Sequence, residues 1–428
     1  MQGESTKRAA AGLSVVAILL ATVVTLSIGA AIKHRCASGD WADGRQYRQL
    51  CYSDIVPLYL TEHLSGSRVP FLNPCPVSAG QQCDEYPVLT MYFMRTTAWL
   101  SAWTGKGFFA FFYWNAALLG LCALVTAWAL HRMVGDRALY FALAPSLAIY
   151  AFVNWDLLAV ALAALATLAF LRDRDGSSGV LLGLGAAAKA YPALLLVPFI
   201  LERVRQRRTG GATSLAVWAA IAYGAVNLPF ALAARQQWQR FFLFNSRRPP
   251  DWDSMWFVAC NRAQGSTGCS WSSGLVNWLS LVTFVIAAVA IWWFRRSRQP
   301  DFPRWTFGFP LLVVFLLTNK VYSPQYSLWL LPWFALALPN PWLFAAFEAA
   351  DVAVFITRFS WFGRLSRDLG QAAFARYGGV PIGALQVALV IRALVLVACL
   401  GAWVLASERG ANRDVAPLLE PSPSGAGP

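Results

Sequence analysis

Apolar runs long enough to cross a lipid bilayer recur along this chain from end to end, and no other feature constrains its fold as strongly. A spanning helix needs about 17–25 predominantly apolar residues. In hydrocarbon only helices and closed barrels satisfy their own backbone hydrogen bonds. The runs are continuous rather than alternating, so the expected fold class is all-α, a polytopic membrane protein. We read about twelve spans, near 11–32, 107–130, 138–153, 155–171, 179–188, 191–201, 212–233, 273–294, 305–318, 325–338, 341–358 and 381–407. The stretch 86–103 is apolar too, but it carries Arg95 and is assigned to an interfacial helix pair.

Composition agrees. Charged residues make up 13% of the chain and hydrophobic ones 57%, against about a quarter charged in soluble domains. The net charge of +14 would suggest nucleic acid as a partner of a soluble protein. Here the arginines fall in short connectors, which is the signature of orientation in a membrane, so no nucleic acid is expected. Lys7 and Arg8 precede an apolar run that is too long for a signal-peptide core of about 7–15 residues. That places an uncleaved first helix and cytoplasmic termini. The expected organisation is a transmembrane domain over 1–407, with external loops at 33–106 and 235–272, and a disordered cytoplasmic tail over 408–428.

Two signals orient the loops. "HRMVGDR", "RDRDGSS", "ERVRQRRTGG" and "RRSRQPDFPR" all fall on the side of the N-terminus, which the positive-inside rule makes cytoplasmic. Cys36, Cys51, Cys75, Cys83, Cys260 and Cys269 fall in loops on the other side, as an oxidising exterior would produce. Cys260 and Cys269 most simply pair with each other, while the first four allow three pairings. Cys122 and Cys399 lie inside spans.

This topology makes "LLGLGAAAKAYPALLLVPFIL" (181–201) informative. The arginine connectors on both sides of it must lie on one side of the membrane, so the stretch must enter, turn and return. Pro192 removes a backbone donor and biases Tyr191 away from helical geometry, so the turn belongs at Lys189–Pro192. Lys189 then sits at the tip of a hairpin, below the exterior surface. The G-x-G-x-x-A within it follows no strand, so it is not a nucleotide loop. Lys320 recurs in the same setting, in "NKVYSPQY" (319–326). Ionisable groups at membrane depth mark function more often than not, although snorkelling to the interface is the plain alternative. A lipid phosphate is the natural ligand for such a cation. Arg247 and Arg248 in "NSRRPPDWDS" are either a second phosphate grip or an exposed loop pair.

Asp54 in "CYSDIVPLYL" has two readings. "SD" is a good helix start, so the acid can be a cap. It can also be a general base for an attacking hydroxyl. Asp84, Glu85, Asp156, Asp251 and Asp253 are rival acids. His34, His63 and His131 are scattered, and no Cys/His spacing suggests zinc. No metal and no cofactor is expected.

"CYSDI", "EYP" (85–87), "NWDLL" (154–158), "AKAYP" (188–192) and "NKVYSPQY", in this order, resemble glycosyltransferase family 87. The resemblance implies a GT-C-like fold of about twelve transmembrane helices with a helical first external loop. It implies a polyprenyl-phosphate sugar as donor, a lipid or glycan of the cell envelope as acceptor, and membrane lipids as surroundings. The activity implied is that of a hexosyltransferase (EC 2.4.1), most simply a mannosyltransferase, as in phosphatidylinositol mannoside synthesis. Asp54 then matches the catalytic acid, and Lys189 and Lys320 lie near the donor phosphate with Arg247 and Arg248. Tyr59, Glu85, Tyr86, Asp156, Tyr191, Asp253, Tyr322 and Gln325 shape the sugar and acceptor sites. The rival class is a polytopic transporter or lipid-linked sugar flippase. It predicts an inverted repeat and a charge near the bilayer midplane.

Overall fold

The computed structural model describes residues 12–37, 41, 43–75, 83–105, 107–261 and 268–406. The cationic pair Lys7 and Arg8 and the tail 408–428 lie outside the described residues. The order is α1 (Val15–His34), α2 (Arg45–Arg48), α3 (Ile55–Thr61), α4 (Val88–Thr104), α5 (Gly107–Val134), α6 (Leu139–Ala142), α7 (Pro145–Tyr150), α8 (Asp156–Leu171) and α9 (Asp175–Ala188). There follow α10 (Leu196–Arg205), α11 (Thr209–Ala233), α12 (Arg235–Arg247), α13 (Met255–Cys260), α14 (Ser273–Arg298), α15 (Gly308–Thr318), α16 (Leu331–Ala337), α17 (Pro341–Asp368) and α18 (Ile382–Leu405). No strand occurs among the described residues.

Among the described residues, five helical segments are long and apolar enough to cross a membrane: Val15–His34, Gly107–Ala142, Thr209–Ala233, Ser273–Arg298 and Ile382–Leu405. Their outward faces carry Leu20, Val24, Leu228, Trp278, Ile286 and Leu394, all exposed. Such a face is stable against lipid and not against water, and the chain is a multi-pass membrane protein. The other expected spans are shorter or broken. Stretch 138–153 divides into α6 and α7 before Pro145, and 325–338 divides into a 3₁₀ turn (Pro324–Trp329) and α16. Helix α17 continues to Asp368, past the expected end at 358, and buries Glu348, Asp351 and Arg358. Stretch 86–103 is one helix of 17 residues rather than a pair. Helix α4 itself, which starts just after Pro87, contains no Gly or Pro to break it, and Arg95 bonds the carbonyls of Leu64 and Gly66 at 3.2 and 2.9 Å instead of interrupting the helix.

The re-entrant hairpin is visible in the contacts. Helix α9 ends at Ala188, Lys189 is extended (φ −155°, ψ 142°), and a 3₁₀ turn (Tyr191–Leu195) leads into α10. At the far end Arg203 of α10 returns to the start of α9, bonding Asp175 at 2.7 Å and the Phe170 carbonyl at 2.6 Å. Helix α11 packs on α9 at Gly179 and Gly183, where a Cβ would lie 2.5 Å from the Leu215 carbonyl oxygen and 2.3 Å from that of Ala219. The G-x-x-x-G spacing therefore lets the two backbones meet, as in other close membrane-helix pairs.

The polar connectors gather at the end opposite the hairpin tip. Glu202 accepts from the Arg304 amide (2.5 Å) and pairs with Arg205. Asp173 pairs with Arg203 and Arg208. At the tip end, disulfides join Cys36 to Cys51, Cys75 to Cys83 and Cys260 to Cys269. Helix α14 starts there with Ser272 as its cap, and α13 with Ser254.

Candidate active site

Asp54 stands at the start of α3, but its carboxylate does not cap that helix. Ser53 takes the Ile55 amide instead (3.2 Å) and donates to the Phe152 carbonyl (2.8 Å). The Asp54 amide is bound to the Val153 carbonyl at 2.8 Å. The backbone is thereby fixed against the α7–α8 connection, and the carboxylate is left for other partners. Tyr52 donates to Oδ1 at 2.5 Å, and Asn154 Nδ2 donates to Oδ2 at 3.0 Å. The Asn154 amide is itself oriented, because its Oδ1 accepts the Trp155 N–H (2.7 Å). Its remaining hydrogen goes to the Tyr86 hydroxyl, 2.6 Å away. Asp54 is half-buried and forms no ion pair shorter than 4 Å among the described residues. Burial holds its carboxyl above the usual carboxylate range, against the opposing pull of the Tyr52 and Asn154 bonds and the charges of Arg358 and Lys189.

Lys189 lies beside the same tyrosine. Its Nζ is 5.5 Å from the Tyr86 ring centroid and 5.0 Å from that of Tyr326, and it donates to Asp156 at 3.2 Å. Asp156 Oδ1 accepts the Trp329 indole N–H at 2.8 Å. Tyr191 stacks on that indole at 4.3 Å. One ammonium donor is engaged by Asp156, and the others face the ring-lined space. Lys189, Lys320, Tyr86, Tyr191, Tyr326 and Asn245 line one cavity of about 330 Å³. Lys320 Nζ donates to the carbonyls of Ser246 (3.1 Å) and Arg248 (2.9 Å) and pairs with no acid among the described residues. Burial, then the nearby Arg248 charge, lowers its pKa to about 8. An anion entering this cavity would meet both lysines. An apolar groove of about 410 Å³ shares the Tyr86, Pro87, Ala190, Phe241 and Phe242 wall and continues between α9, α10 and α11.

The structure does not bring every expected residue here. Tyr59 is a core side chain stacked on Phe111 at 4.3 Å, because the inner face of α3 packs on α5. Arg247 is exposed, and Arg248 touches Lys320 with its carbonyl while its guanidinium lies over Phe244 (5.5 Å). Asp253 and Tyr322 belong to a separate buried network. Asp253 pairs with Arg358 (2.5 Å), and Arg392 bonds Asp351 (3.0 Å) and lies 3.8 Å from the Tyr322 ring centre. Burial raises the Asp253 pKa to about 6, against the pull of Arg358. Gln325 is buried. Glu85 is half-buried and feels the Arg248 charge. Asp84 is bound by Arg68 at 2.6 Å. Tyr52 and Asn154 were missed as functional residues, although each stands two positions before a singled-out acid. Arg358, Tyr326 and Trp329 were missed outright. His63, Cys75 and Cys83 bring possible metal-ligand atoms within 4.8 Å of one another, but the two sulfurs are bonded together and offer no thiolate.

A half-buried acid without an ion pair among the described residues, an ammonium on a cavity wall and an adjoining apolar groove thus gather at one end of a membrane bundle. The model of glycosyltransferase family 87 matches residues 85–324, more than half of the chain. The chain belongs to glycosyltransferase family 87 and is a membrane glycosyltransferase. The crystal structure of ArnT from Cupriavidus metallidurans bound to undecaprenyl phosphate is similar at 14% identity and a TM-score of 0.43, over 92% of this chain and 78% of that one. No curated protein matches the chain.

Proposed function

We propose that the protein moves a sugar, mannose in the first instance, from a polyprenyl-phosphate donor to a lipid or glycan acceptor of the cell envelope, at the extracytoplasmic face. The observation that carries this reading is the cavity shared by Lys189 and Lys320, with an apolar groove on one side and Asp54 joined to its wall through Asn154 and Tyr86. The isoprenoid tail suits the groove. The phosphate suits the lysines, whose ammonium groups stabilise the charge that develops on the departing oxygen. Asp54 accepts the acceptor hydroxyl's proton as its oxygen attacks the anomeric carbon. The bond from that carbon to the phosphate oxygen breaks, and the electron pair leaves with polyprenyl phosphate. One displacement of this kind inverts the anomeric centre. None of these steps requires a nucleotide or a metal.

The clustering of arginine connectors at one end, with disulfides and Asp54 at the other, supports cytoplasmic termini and an external site. The test is transfer by purified protein in liposomes, from radiolabelled polyprenyl-phosphate mannose or arabinofuranose to a membrane-lipid extract, in the presence of EDTA. Labelled product is expected. Transfer only from a nucleotide sugar, or movement of the donor across the bilayer without transfer, would overturn the proposal.

A further inference from the structure

The cavity that holds Lys189 and Lys320 has a neighbour on its far side. A further cavity of about 290 Å³ lies between α14 and α15, lined by Leu281 and Phe284 of one helix, Phe315 and Thr318 of the other, and Leu194 of the hairpin turn. It shares Phe315, Asn319 and Lys320 with the two-lysine cavity, just as the groove along α9–α11 shares Tyr86, Pro87, Ala190, Phe241 and Phe242 with it. The three spaces run in a row, with the lysines in the middle one. One donor, with one isoprenoid chain and one phosphate, fills the first two and leaves the third.

This third space opens to the bilayer. Along α14 the side chains of Trp278, Leu281, Val282, Val285 and Ile286 are exposed, so its wall is a helix that stands in lipid. One end of the space is nevertheless polar. Ser280 Oγ is buried and has no hydrogen-bond partner among the described residues. A helical serine or threonine ordinarily returns its hydroxyl to the carbonyl four residues back, as Thr283 does to Leu279 (2.6 Å) and Thr318 to Val314 (2.8 Å). Asn277 and Asn319 each give an amide hydrogen to a backbone carbonyl, that of Ser246 and that of Val321, both at 2.9 Å. Their amide oxygens remain as acceptors at the cavity wall. Lys320 is 6% exposed, and two of its three ammonium hydrogens go to the carbonyls of Ser246 and Arg248, which leaves the third for an anion.

An ammonium, an unpaired hydroxyl and two amide oxygens at the head of an apolar slot match a phosphate whose substituent carries hydroxyls, with a hydrocarbon chain behind it. We propose that the α14–α15 groove is a second lipid site and takes an acyl chain of the acceptor, a phospholipid with a polyol head group that enters sideways from the bilayer while the donor's isoprenoid lies along α9–α11. This rests on the reading of the protein as a polyprenyl-phosphate-sugar transferase, and it makes the acceptor a lipid rather than a free glycan. A soluble glycan would leave the slot unfilled. A choline head group has no hydroxyl to give to the amide oxygens.

The experiment uses the full-length protein in phosphatidylcholine nanodiscs doped with phosphatidylglycerol or phosphatidylcholine that carries a photoreactive diazirine in one acyl chain, with adducts mapped by peptide mass spectrometry. The phosphatidylglycerol probe should label α14 and α15 around Leu281, Phe284 and Phe315 several-fold more than the phosphatidylcholine probe at equal dose. Ser280→Trp, which fills the slot with an indole, and the smaller Ser280→Leu should abolish that preference. Both should raise the half-saturating concentration of a membrane-lipid acceptor extract by about tenfold or more. Donor binding should stay within about twofold of wild type, because its groove lies on the other side of the lysines, and this also reports that the variants are folded. Equal labelling by the two probes would leave only ordinary boundary lipid and overturn the proposal. So would variants that bind donor normally with an unchanged dependence on acceptor. Should wild type transfer no sugar from any polyprenyl-phosphate donor while the phosphatidylglycerol labelling stays selective and is lost in Ser280→Trp, the lipid site stands and the proposed activity is what fails.

Discussion

Asp54 and Asp156 are both acids at the start of a helix and at the same end of the bundle, yet the structure uses them differently. Asp156 is fully buried, and each of its oxygens has a partner, Lys189 on one and the Trp329 indole on the other. It anchors the hairpin tip. Asp54 is half-buried and is held by a hydroxyl and an amide, neither carrying charge. A carboxylate tied to a cation is a poor proton acceptor, because the cation favours the ionised form. One held by neutral donors, and with its pKa raised by burial, accepts a proton more readily. We read the two environments as setting two roles, base and anchor, and substitutions at each acid and its partners test that reading.

The largest effect is expected at Asp54. Asp54→Asn keeps the size and most of the bonding but removes the base, and turnover should fall by about 10²–10⁴-fold with an unchanged melting temperature. Steady-state kinetics on purified protein checks this. A folded variant with near-normal transfer would move the base to Glu85 or Asp84. Next comes Lys189→Ala, which leaves Asp156 as an unpaired buried charge. It should destabilise the protein by about 3–5 kcal/mol and weaken donor binding by about 10–100-fold. Adding Asp156→Ala should restore most of the melting temperature and none of the donor affinity. Recovery of both would make the pair purely structural.

A smaller effect is expected at the Cys36–Cys51 disulfide. The double variant Cys36→Ser/Cys51→Ser should lose about 2–4 kcal/mol, read by thermal unfolding with and without reductant. The smallest is expected at Tyr52→Phe, which removes one donor to the Asp54 carboxylate. The base must be ionised to act, so the rate falls as pH drops through its raised pKa. Losing a bond that favours the ionised form raises that pKa further. The acid limb of the pH–rate profile should move to higher pH by up to about one unit. An unmoved limb would remove Tyr52 from the proton chemistry.

Much of this was legible in the sequence, and the residues show why the rest was not. Charge counting on the two flanking connectors required the hairpin at Lys189, and Pro192 located its turn. Asp54, Lys189 and Lys320 stood out because charged residues are rare in so apolar a chain. Lys33, fully buried in the last turn of α1, is equally rare, yet nothing around a lone lysine at the end of a first helix singles it out in the sequence. Its inward turn depends on helix phase, which the Cys36–Cys51 bond and the packing on α7 fix. Arg358 was hidden for the same reason, at the expected end of a span that in fact continues to Asp368. Tyr59 misled in the opposite direction, because a tyrosine five residues after a catalytic candidate sits on the helix face that packs on α5. Hydropathy registers apolar content and not where Pro145 and Pro324 interrupt the helix, so 138–153 and 325–338 read as single helices where the structure divides them.

The contrast between the two acids is tested most directly by measuring polyprenyl-phosphate mannose binding and single-turnover transfer on Asp54→Asn and Asp156→Asn side by side. Asp54→Asn should bind the donor as wild type does and fail to transfer its sugar. Asp156→Asn should bind the donor less tightly, because Lys189 has lost its anchor, yet transfer whatever it has bound at a rate within about tenfold of wild type. The reverse pattern, with donor binding lost at Asp54→Asn and transfer lost at Asp156→Asn, would contradict the assignment of base and anchor.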